Sequence, residues 1–494
     1  MSSPDPAGAP ERPGSGPTDF GLPGDAELVA DVALASIAPT PAAPASEPAS
    51  AVEPAPAAEP HGRRRPSLFI RPKPGSSPDT VHNWAATQRE AIWFGELEAA
   101  YAFVAILLVR LGATNLQIGL LSALAPLATF VMAVPFGSFV QRRRNAVPWY
   151  ARGRALGQMV IPLVGVVVLL APEDLIIPLT LIVAAVCAFL QSFADLVFWV
   201  VMDGVAGPGG RYSLIGHRLG VKMGVNAGSQ ATIGAFLSRA PFPIGYAAVF
   251  LTSGISVLLG YRWSRTLRIP DNPPPPPATT GVPSVSVRHR VAGLLREVGG
   301  ERRFAAFTSM HTLFTFGVRM ALPLLPLWYV RELDASDAFI GIVGTVMAAA
   351  TMVGYFVWRR PARRFGGTRV LVPSTIGVAA YPILLTFAHT DALVLVFVAI
   401  SAFCTAGMDL AVFDALMNTV PADRSVRFAA LDTGAVNFSG VVAPLVGAAL
   451  ASAVGLAPAL VAAGFVGLLG AIGLPLAVGG RRPRGRRWSL GRTG

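Results

Sequence analysis

Charged residues are scarce in this chain of 494 residues. Asp, Glu, Lys and Arg make up 14% of the sequence, whereas a soluble protein carries about 25%. Hydrophobic residues reach 53%, and the mean hydropathy is +0.55. The composition argues against a soluble α/β protein and predicts a protein that lies within a membrane.

Cysteine and the common catalytic motifs are also nearly absent. The two cysteines, Cys187 and Cys404, both lie in apolar runs, so the sequence supports neither a disulfide framework nor a metal site. We find no His-Glu-x-x-His, Gly-x-Ser-x-Gly, P-loop or dinucleotide pattern. We therefore expect a protein that is not an enzyme, binds no cofactor or metal, and does not use ATP directly.

Long apolar runs dominate the sequence. Many reach the roughly 20 residues that a helix needs to cross a bilayer. Period-2 alternation, which a membrane β-barrel requires, is absent. We predict an all-α polytopic membrane protein with twelve spans, near 89–110, 115–139, 150–171, 175–201, 214–237, 243–262, 303–330, 338–358, 370–389, 392–414, 427–453 and 456–479.

The arginines predict the orientation of these spans. Five arginines lie in 142–154, five in 359–369 and eight in 262–303, whereas the alternate loops hold only Arg110, Arg239 and Arg331. This asymmetry follows the positive-inside rule. It explains the net charge of +12 without a nucleic-acid partner. We expect a multi-pass protein of the cell membrane with both termini in the cytoplasm.

The composition of the segments outside the apolar runs predicts two tails and a connector between the bundles. Residues 1–86 are rich in Pro and Ala and predict a disordered cytoplasmic tail. Five prolines follow Asn272 and favour an extended connector. The predicted organisation is a six-helix bundle over 87–262, a cytoplasmic connector over 263–300, a second bundle over 301–479 and a basic tail over 480–494.

The two predicted bundles repeat each other in sequence. The stretch that begins Val109-Arg110 and ends at Gly119 resembles the stretch from Val330-Arg331 to Gly341, with one residue inserted. A second resemblance joins Ala188-Phe189 and Asp195-Leu196 to Ala402-Phe403 and Asp409-Leu410. Parallel six-helix repeats around a site at the middle of the membrane are an architecture of transporters.

The chain resembles the major facilitator superfamily over about residues 87–479. The loop after its second span keeps the first glycine of the family's signature, Gly137, but has Gln141 where the family has an aspartate; the second copy, at 363–369, also lacks the acid. The resemblance implies a secondary transporter of a small organic solute. It would be a monomer, proton-coupled, with export favoured over uptake. The alternative is a non-transporting membrane receptor or assembly subunit.

Two charged residues are the main candidates for the solute or proton site. Glu98 lies 12 residues before Arg110, about 18 Å along a helix and so near the middle of the membrane. The repeat places it opposite Arg319 or Met320. We expect Glu98 to couple transport to protons or solute, and Arg319 to be its partner or an anion anchor; a static ion pair is the alternative.

Other polar residues are predicted to face the same site. His311, on the face of Arg319, is a candidate proton relay, with a structural hydrogen bond as the alternative. Tyr101 shares the face of Glu98. The remaining candidates for contact with the solute are Gln191, Asn226 and Gln230.

Charged residues near the cytoplasmic ends of the spans suggest a gate. We expect Asp195 and Asp409 to form ion pairs with arginines that include Arg142 and Arg364. Such pairs would form in the outward-facing state and break in the inward-facing one. Solvated loop charges are the alternative.

Overall fold

The computed structural model describes residue 72 and residues 75–141, 144–206, 211–270, 300–420 and 425–478. Over these ranges the secondary structure is helical. The predicted N-terminal tail up to residue 71, most of the connector and the C-terminal tail lie outside them. The helices are α1 Pro78–Arg110, α2 Asn115–Gln141, α3 Val147–Gln158, α4 Val160–Leu170, α5 Glu173–Ala206, α6 Arg211–Leu237, α7 Ile244–Ser264, α8 Arg302–Ala321, α9 Leu324–Arg331, α10 Asp337–Phe365, α11 Gly367–Leu385, α12 Asp391–Met417, α13 Ser425–Val454 and α14 Leu456–Val478.

These helices make twelve spans, as predicted. The third span consists of α3 and α4, which meet at Met159, and the seventh consists of α8 and α9, which meet at Leu322 and Pro323. Eleven spans are long and apolar enough to cross a membrane by composition alone. The twelfth is α6, whose 27 residues include Lys222, Asn226 and Gln230.

The first helix begins earlier than the sequence indicated. We expected residues 78–86 in the tail, but α1 begins at Pro78, after Ser77, whose side chain accepts a hydrogen bond from the backbone N–H of Thr80. Ser at the N-cap and Pro at the first helical position are a strong start signal. The added turns are held in place because the Nδ2 of Asn83 donates to the carbonyl of Arg268 at 2.6 Å.

The apolar core divides along the membrane normal. We call the end with the loops 111–114 and 332–336 the outer end, and the end with the arginine-rich loops the inner end. At the outer end one core contains residues of both bundles, among them Leu107, Phe250, Leu327 and Val343. Toward the inner end the core separates into two. The first bundle has a core around Tyr150 and Val201, and the second has one around Phe304, Phe428 and Leu371.

A buried carboxylate joins four helices of the first bundle. Glu90 of α1 is 3% exposed and lies 2.9 Å from the Nε of Arg154 in α3 and 3.0 Å from the Nη2 of Arg218 in α6. The hydroxyl of Tyr150 donates to it at 2.8 Å, and Ser264 of α7 donates at 3.5 Å. Each of these partners would be costly to bury alone.

We predict that Glu90→Gln strongly destabilises the first bundle. The substitution keeps the shape of the side chain but leaves two buried arginines without their carboxylate, at a cost of about 3–5 kcal/mol. Thermal unfolding in lipid nanodiscs measures the loss as a lower midpoint. Asp79→Asn is the control, because Asp79 pairs with Arg268 on the surface, where the side chains are 60% and 64% exposed. Equal midpoints for Glu90→Gln and the wild type would contradict the prediction.

Candidate functional site

The main candidate site lies where the shared core divides. Leu97 and Met320 belong to the shared core, and their neighbours Glu98 and Arg319 lie at its inner edge. Each of the two charged residues precedes the arginine at the outer end of its span by 12 residues, or about 18 Å. The repeat therefore places them at the same depth, one in each bundle.

The carboxylate of Glu98 pairs with a lysine of its own bundle. The Nζ of Lys222 in α6 lies 3.0 Å from Oε2 and 3.1 Å from Oε1 of Glu98. The side chain of Glu98 is 41% exposed, whereas that of Lys222 is 12% exposed. The expected ion pair between Glu98 and Arg319 is therefore not formed in this conformation. Lys222 is the second of only two lysines in the chain, and its pairing with Glu98 was not expected from the sequence.

Arg319 has no acidic partner among the described residues. Its side chain is partly buried, within the span formed by α8 and α9. The guanidinium lies against Gly440 of α13, at a position that a Cβ would occupy. Pro126 of α2, in the other bundle, also borders this position, because its Cβ lies 3.1 Å from it. Arg319 is thus located between the two bundles.

The other predicted contact residues fall into two groups. Tyr101 of α1 is 40% exposed. Three amides are instead engaged in helix contacts: Asn226 is buried and donates to the carbonyl of Gly95 at 3.4 Å, Gln230 donates to Asn226 at 2.9 Å, and Gln191 donates to Asp195 at 2.8 Å. Gln230 also contacts Gly344 of the second bundle. In this conformation the three amides are engaged in hydrogen bonds within and between helices.

His311 forms part of a polar cluster in the second bundle. Its Nδ1 lies 2.9 Å from the Oδ2 of Asp432 in α13, and Thr308 donates to Oδ1 of the same carboxylate at 2.9 Å. The side chains of His311 and Asp432 are 13% and 5% exposed. Asp432 lies eight residues before Gly440, so this cluster is about 12 Å nearer the inner end than Arg319.

The predicted gate acids accept hydrogen bonds from uncharged groups. Asp195 accepts one from Gln191 at 2.8 Å, and Asp409 accepts one from the hydroxyl of Tyr355 at 2.6 Å. Arg364 is exposed and its guanidinium lies 5.3 Å from the ring centre of Phe365. Arg142 lies outside the described residues. The gate therefore stays a prediction for another conformation.

The outer end holds a pair of reciprocal arginine contacts that sequence reasoning did not identify. Arg110 donates to the carbonyl of Ala335 at 2.8 Å and pairs with Asp337 at 2.9 Å. Arg331, its counterpart in the repeat, donates to the carbonyl of Ala113 at 2.6 Å and to Asn115 at 2.8 Å. We call these contacts the arginine latch.

The latch has the two-fold symmetry of the repeat. Counting back from Gly119 and Gly341, Ala113 corresponds to Ala335, and Asn115 to Asp337. Each bundle thus offers an arginine to the same two acceptor positions of the other. The repeat around Arg110 and Arg331 is the signal that the sequence carries. It indicates a duplication, but it does not reveal that the two copies bond to each other.

Close helix contacts reinforce the latch. The hydroxyl of Tyr246 in α7 donates to Asp337 at 2.7 Å. A Cβ added at Gly119 would lie 2.6 Å from the Cβ of Ala448, and one at Gly341 would clash with the carbonyl of Gln230. Glycine is required at both positions for α2 to approach α13 and for α10 to approach α6. The outer end is therefore closed by packing as well as by charge.

The described residues hold no cluster of metal-binding side chains. The site consists instead of an ion pair, an unpaired cation, a histidine–aspartate pair and an exposed tyrosine.

The C-terminal part of the sequence matches a family model, and the fold is similar to that of solved transporters. The model of the Major Facilitator Superfamily matches residues 307–494. No curated protein matches the sequence significantly. A bacterial homologue of the iron transporter ferroportin, solved in an inward-facing state, is similar with a TM-score of 0.63 and 13% identity, covering 82% of this chain and 100% of its own.

Two further solved structures share the fold. The nucleoside transporter NupG has a TM-score of 0.59 at 10% identity over 82% of this chain and 100% of its own. A bacterial homologue of the human lysosomal transporter Spinster, in an inward-facing and occupied conformation, has a TM-score of 0.58 at 15% identity over 82% and 97%. At these identities the likeness shows the fold, with twelve spans in two bundles.

We predict that loss of both latch arginines opens the outer end. Arg110→Gln and Arg331→Gln together remove charge-assisted hydrogen bonds that hold the bundles together. The reporter is Thr345→Cys, whose native hydroxyl donates to the carbonyl of Ala227 across the bundles at 2.7 Å. The two buried cysteines are first replaced by alanine. A membrane-impermeant thiol reagent added at the outer end should label position 345 at least tenfold faster in the double variant.

The control for this experiment is Arg239→Gln. Arg239 is exposed and donates to Ala235 of its own helix. Its loss should leave the labelling rate unchanged. Equal rates for the double variant and the wild type would show that the latch does not hold the outer end closed.

Proposed function

Starting from the major facilitator fold, we propose that this chain is a secondary active transporter that moves a small organic solute by alternating access. The observation that supports it is the divided core. The bundles share one apolar core at the outer end and have separate cores at the inner end. Two rigid bodies joined at one end can rock about that joint.

In this proposal the structure represents the inward-facing state. Two of the similar solved structures were determined in inward-facing states. The outer end is closed by the arginine latch, and Glu98 and Arg319 lie at the inner limit of the closed region. The outward-facing state would require the latch to break and the inner ends to meet. We propose that Asp195, Asp409, Arg142 and Arg364 form their ion pairs in that state.

We propose that transport is coupled to protons through Glu98. Its side chain is partly exposed, and its carboxylate is paired with Lys222. A proton on Glu98 would remove the charge that attracts Lys222 and would release α1 from α6 at this point. Protonation thus changes a contact between two helices that border the site. His311 and Asp432 form a second pair able to carry a proton, on the side nearer the inner end.

We also propose how the protein is oriented in the membrane and in which direction it moves the solute. The arginine-rich loops place the inner end and both termini in the cytoplasm, and the protein acts as a monomer in the cell membrane. Export is proposed on the resemblance to the superfamily, in which export is frequent. A proton would then enter the cell in exchange for each solute that leaves.

We predict that Glu98→Gln abolishes proton-coupled flux, because glutamine keeps the shape of the side chain but cannot exchange a proton. In everted membrane vesicles, respiration acidifies the interior, and a pH-sensitive dye reports the gradient. A panel of small organic compounds is added one at a time. At least one should dissipate the gradient in wild-type vesicles and none should do so in Glu98→Gln vesicles. Asp79→Asn serves as the control and should behave as the wild type does.

Other results of the same assay would change the proposal. A wild-type response from Glu98→Gln would remove Glu98 from the coupling mechanism. His311→Gln, which keeps a donor toward Asp432, tests the second pair in the same way. No response from the wild type to any compound would favour the non-transporting receptor.

A further inference from the structure

We propose that the transported solute is a small organic anion, a carboxylate or a phosphate, and that Arg319 is the residue that binds its charge. This inference rests on the proposed function, because it assigns a substrate class to the same site.

The charges around the site do not balance. Glu98 contributes one negative charge, and Lys222 and Arg319 contribute one positive charge each. The pair between Glu98 and Lys222, at 3.0 Å, is neutral as a unit. The site therefore keeps one uncompensated positive charge, on Arg319. A bound anion would compensate it, whereas a cation would add to it.

The three cations of the first bundle near the site, Arg154, Arg218 and Lys222, are engaged with carboxylates of the same bundle. Glu90 is bound by Arg154 and Arg218. Asp195 lies in the electrostatic field of the same two arginines and of Lys222. Counting Glu98, three carboxylates face three cations. A fourth carboxylate, Glu96 of α1, is hydrogen-bonded to Ser256 of α7, and among the described residues none of the four forms an ion pair with Arg319.

The nearest acid on the facing helix of the second bundle is already engaged. Asp432 lies about 12 Å from the level of Gly440 along α13, and both of its oxygens accept hydrogen bonds, from Thr308 and from His311. Thr315, one turn before Arg319, donates to the carbonyl of His311. Arg319 is thus the charged group on this face of α8 that lacks a protein partner among the described residues.

The neighbours of Arg319 provide space for its guanidinium but no group that accepts its hydrogen bonds. A Cβ at Gly440 would overlap Nη1 of Arg319 and would lie 3.1 Å from Pro126 of the other bundle. Neither neighbour offers an acceptor side chain. An arginine placed between two bundles, with space but without an acceptor, has its donors free for a ligand. Its planar fork matches the oxygens of a carboxylate or a phosphate.

A structural role would leave a different pattern. Unpaired charge is costly inside a membrane, and the other cations of the site, Arg154, Arg218 and Lys222, each have a carboxylate within 3.0 Å. If Arg319 only held helices together, its removal would destabilise the protein. If Arg319 serves to bind an anion, its substitution should leave the unliganded protein at least as stable as the wild type.

The test measures ligand-induced stabilisation of the purified full chain in nanodiscs. The probes are matched sets with a common skeleton: phenylacetate beside phenylacetamide and phenethylamine, succinate beside succinamide, and phenyl phosphate beside phenol. We expect at least one anion to raise the unfolding midpoint of the wild type, and its neutral and cationic counterparts to have little effect. The carboxylate and phosphate sets distinguish the two possible head groups.

Variants identify the residue responsible. Arg319→Gln should weaken binding of that anion at least tenfold, the loss expected for a charged hydrogen bond, while the midpoint without ligand does not fall. Arg319→Lys, which keeps the charge but not the fork, should retain part of the affinity. Arg239→Gln, a loss of an exposed arginine far from the site, should bind as the wild type does.

Three results would overturn the inference. They are binding of the neutral or cationic compounds as strong as that of the anions, anion binding that survives Arg319→Gln, and no binding of any anion in the sets. The proposed function is tested separately, because the everted-vesicle assay with its broader panel of compounds reports proton-coupled flux whether or not an anion binds. If a compound other than an anion dissipates the gradient in wild-type vesicles but anions do not bind, only the substrate class is wrong.

Discussion

A charge within the hydrocarbon layer needs either a partner of opposite sign or contact with water, and this constraint organises the charged residues of the molecule. Insertion of a charged residue at the middle of a membrane helix costs at least about 2.5–3.5 kcal/mol. Glu90 meets the constraint with two arginines and a tyrosine in a closed cluster. Glu98 meets it with Lys222 and remains partly exposed. Arg319, by contrast, has neither a carboxylate nor a carbonyl as a partner among the described residues. The first arrangement builds the bundle, and the other two form a site.

The same constraint explains why the outer end has a latch. In the proposed mechanism the joint between the bundles opens and closes, and an extended apolar interface alone would be costly to expose each time. Arginines that bond to backbone carbonyls and to one carboxyl or amide group give a joint whose partners water can replace when it opens. The two-fold repeat supplies the joint twice, through Arg110 and Arg331, so that both bundles contribute an equivalent half.

Much of this organisation was predictable from the sequence, because it depends on local properties. Span length, the arginine-rich loops and the repeat gave the twelve helices, and most ends agree with the structure within a few residues. The start of α1 was misplaced, since the predicted tail was extended over the N-cap Ser77 and over the buried residues Asn83 and Trp84. The break between α8 and α9 at Pro323 was also missed, because apolar content continues across it.

The sequence by itself determined which residues are lipid-embedded helices, how these helices repeat, and which charged residues lie at the middle of the membrane, because hydropathy and spacing along one helix are local quantities. Only the tertiary structure decided which charges meet. It paired Glu98 with Lys222 in place of Arg319, turned Asn226 and Gln230 toward neighbouring helices, and brought Arg110 and Arg331 onto opposite loops. Partner choice depends on the rotation of each helix about its own axis and on the tilt between the bundles. Packing at glycines such as Gly119, Gly341 and Gly440 determines those angles, and no pattern along a single helix encodes them.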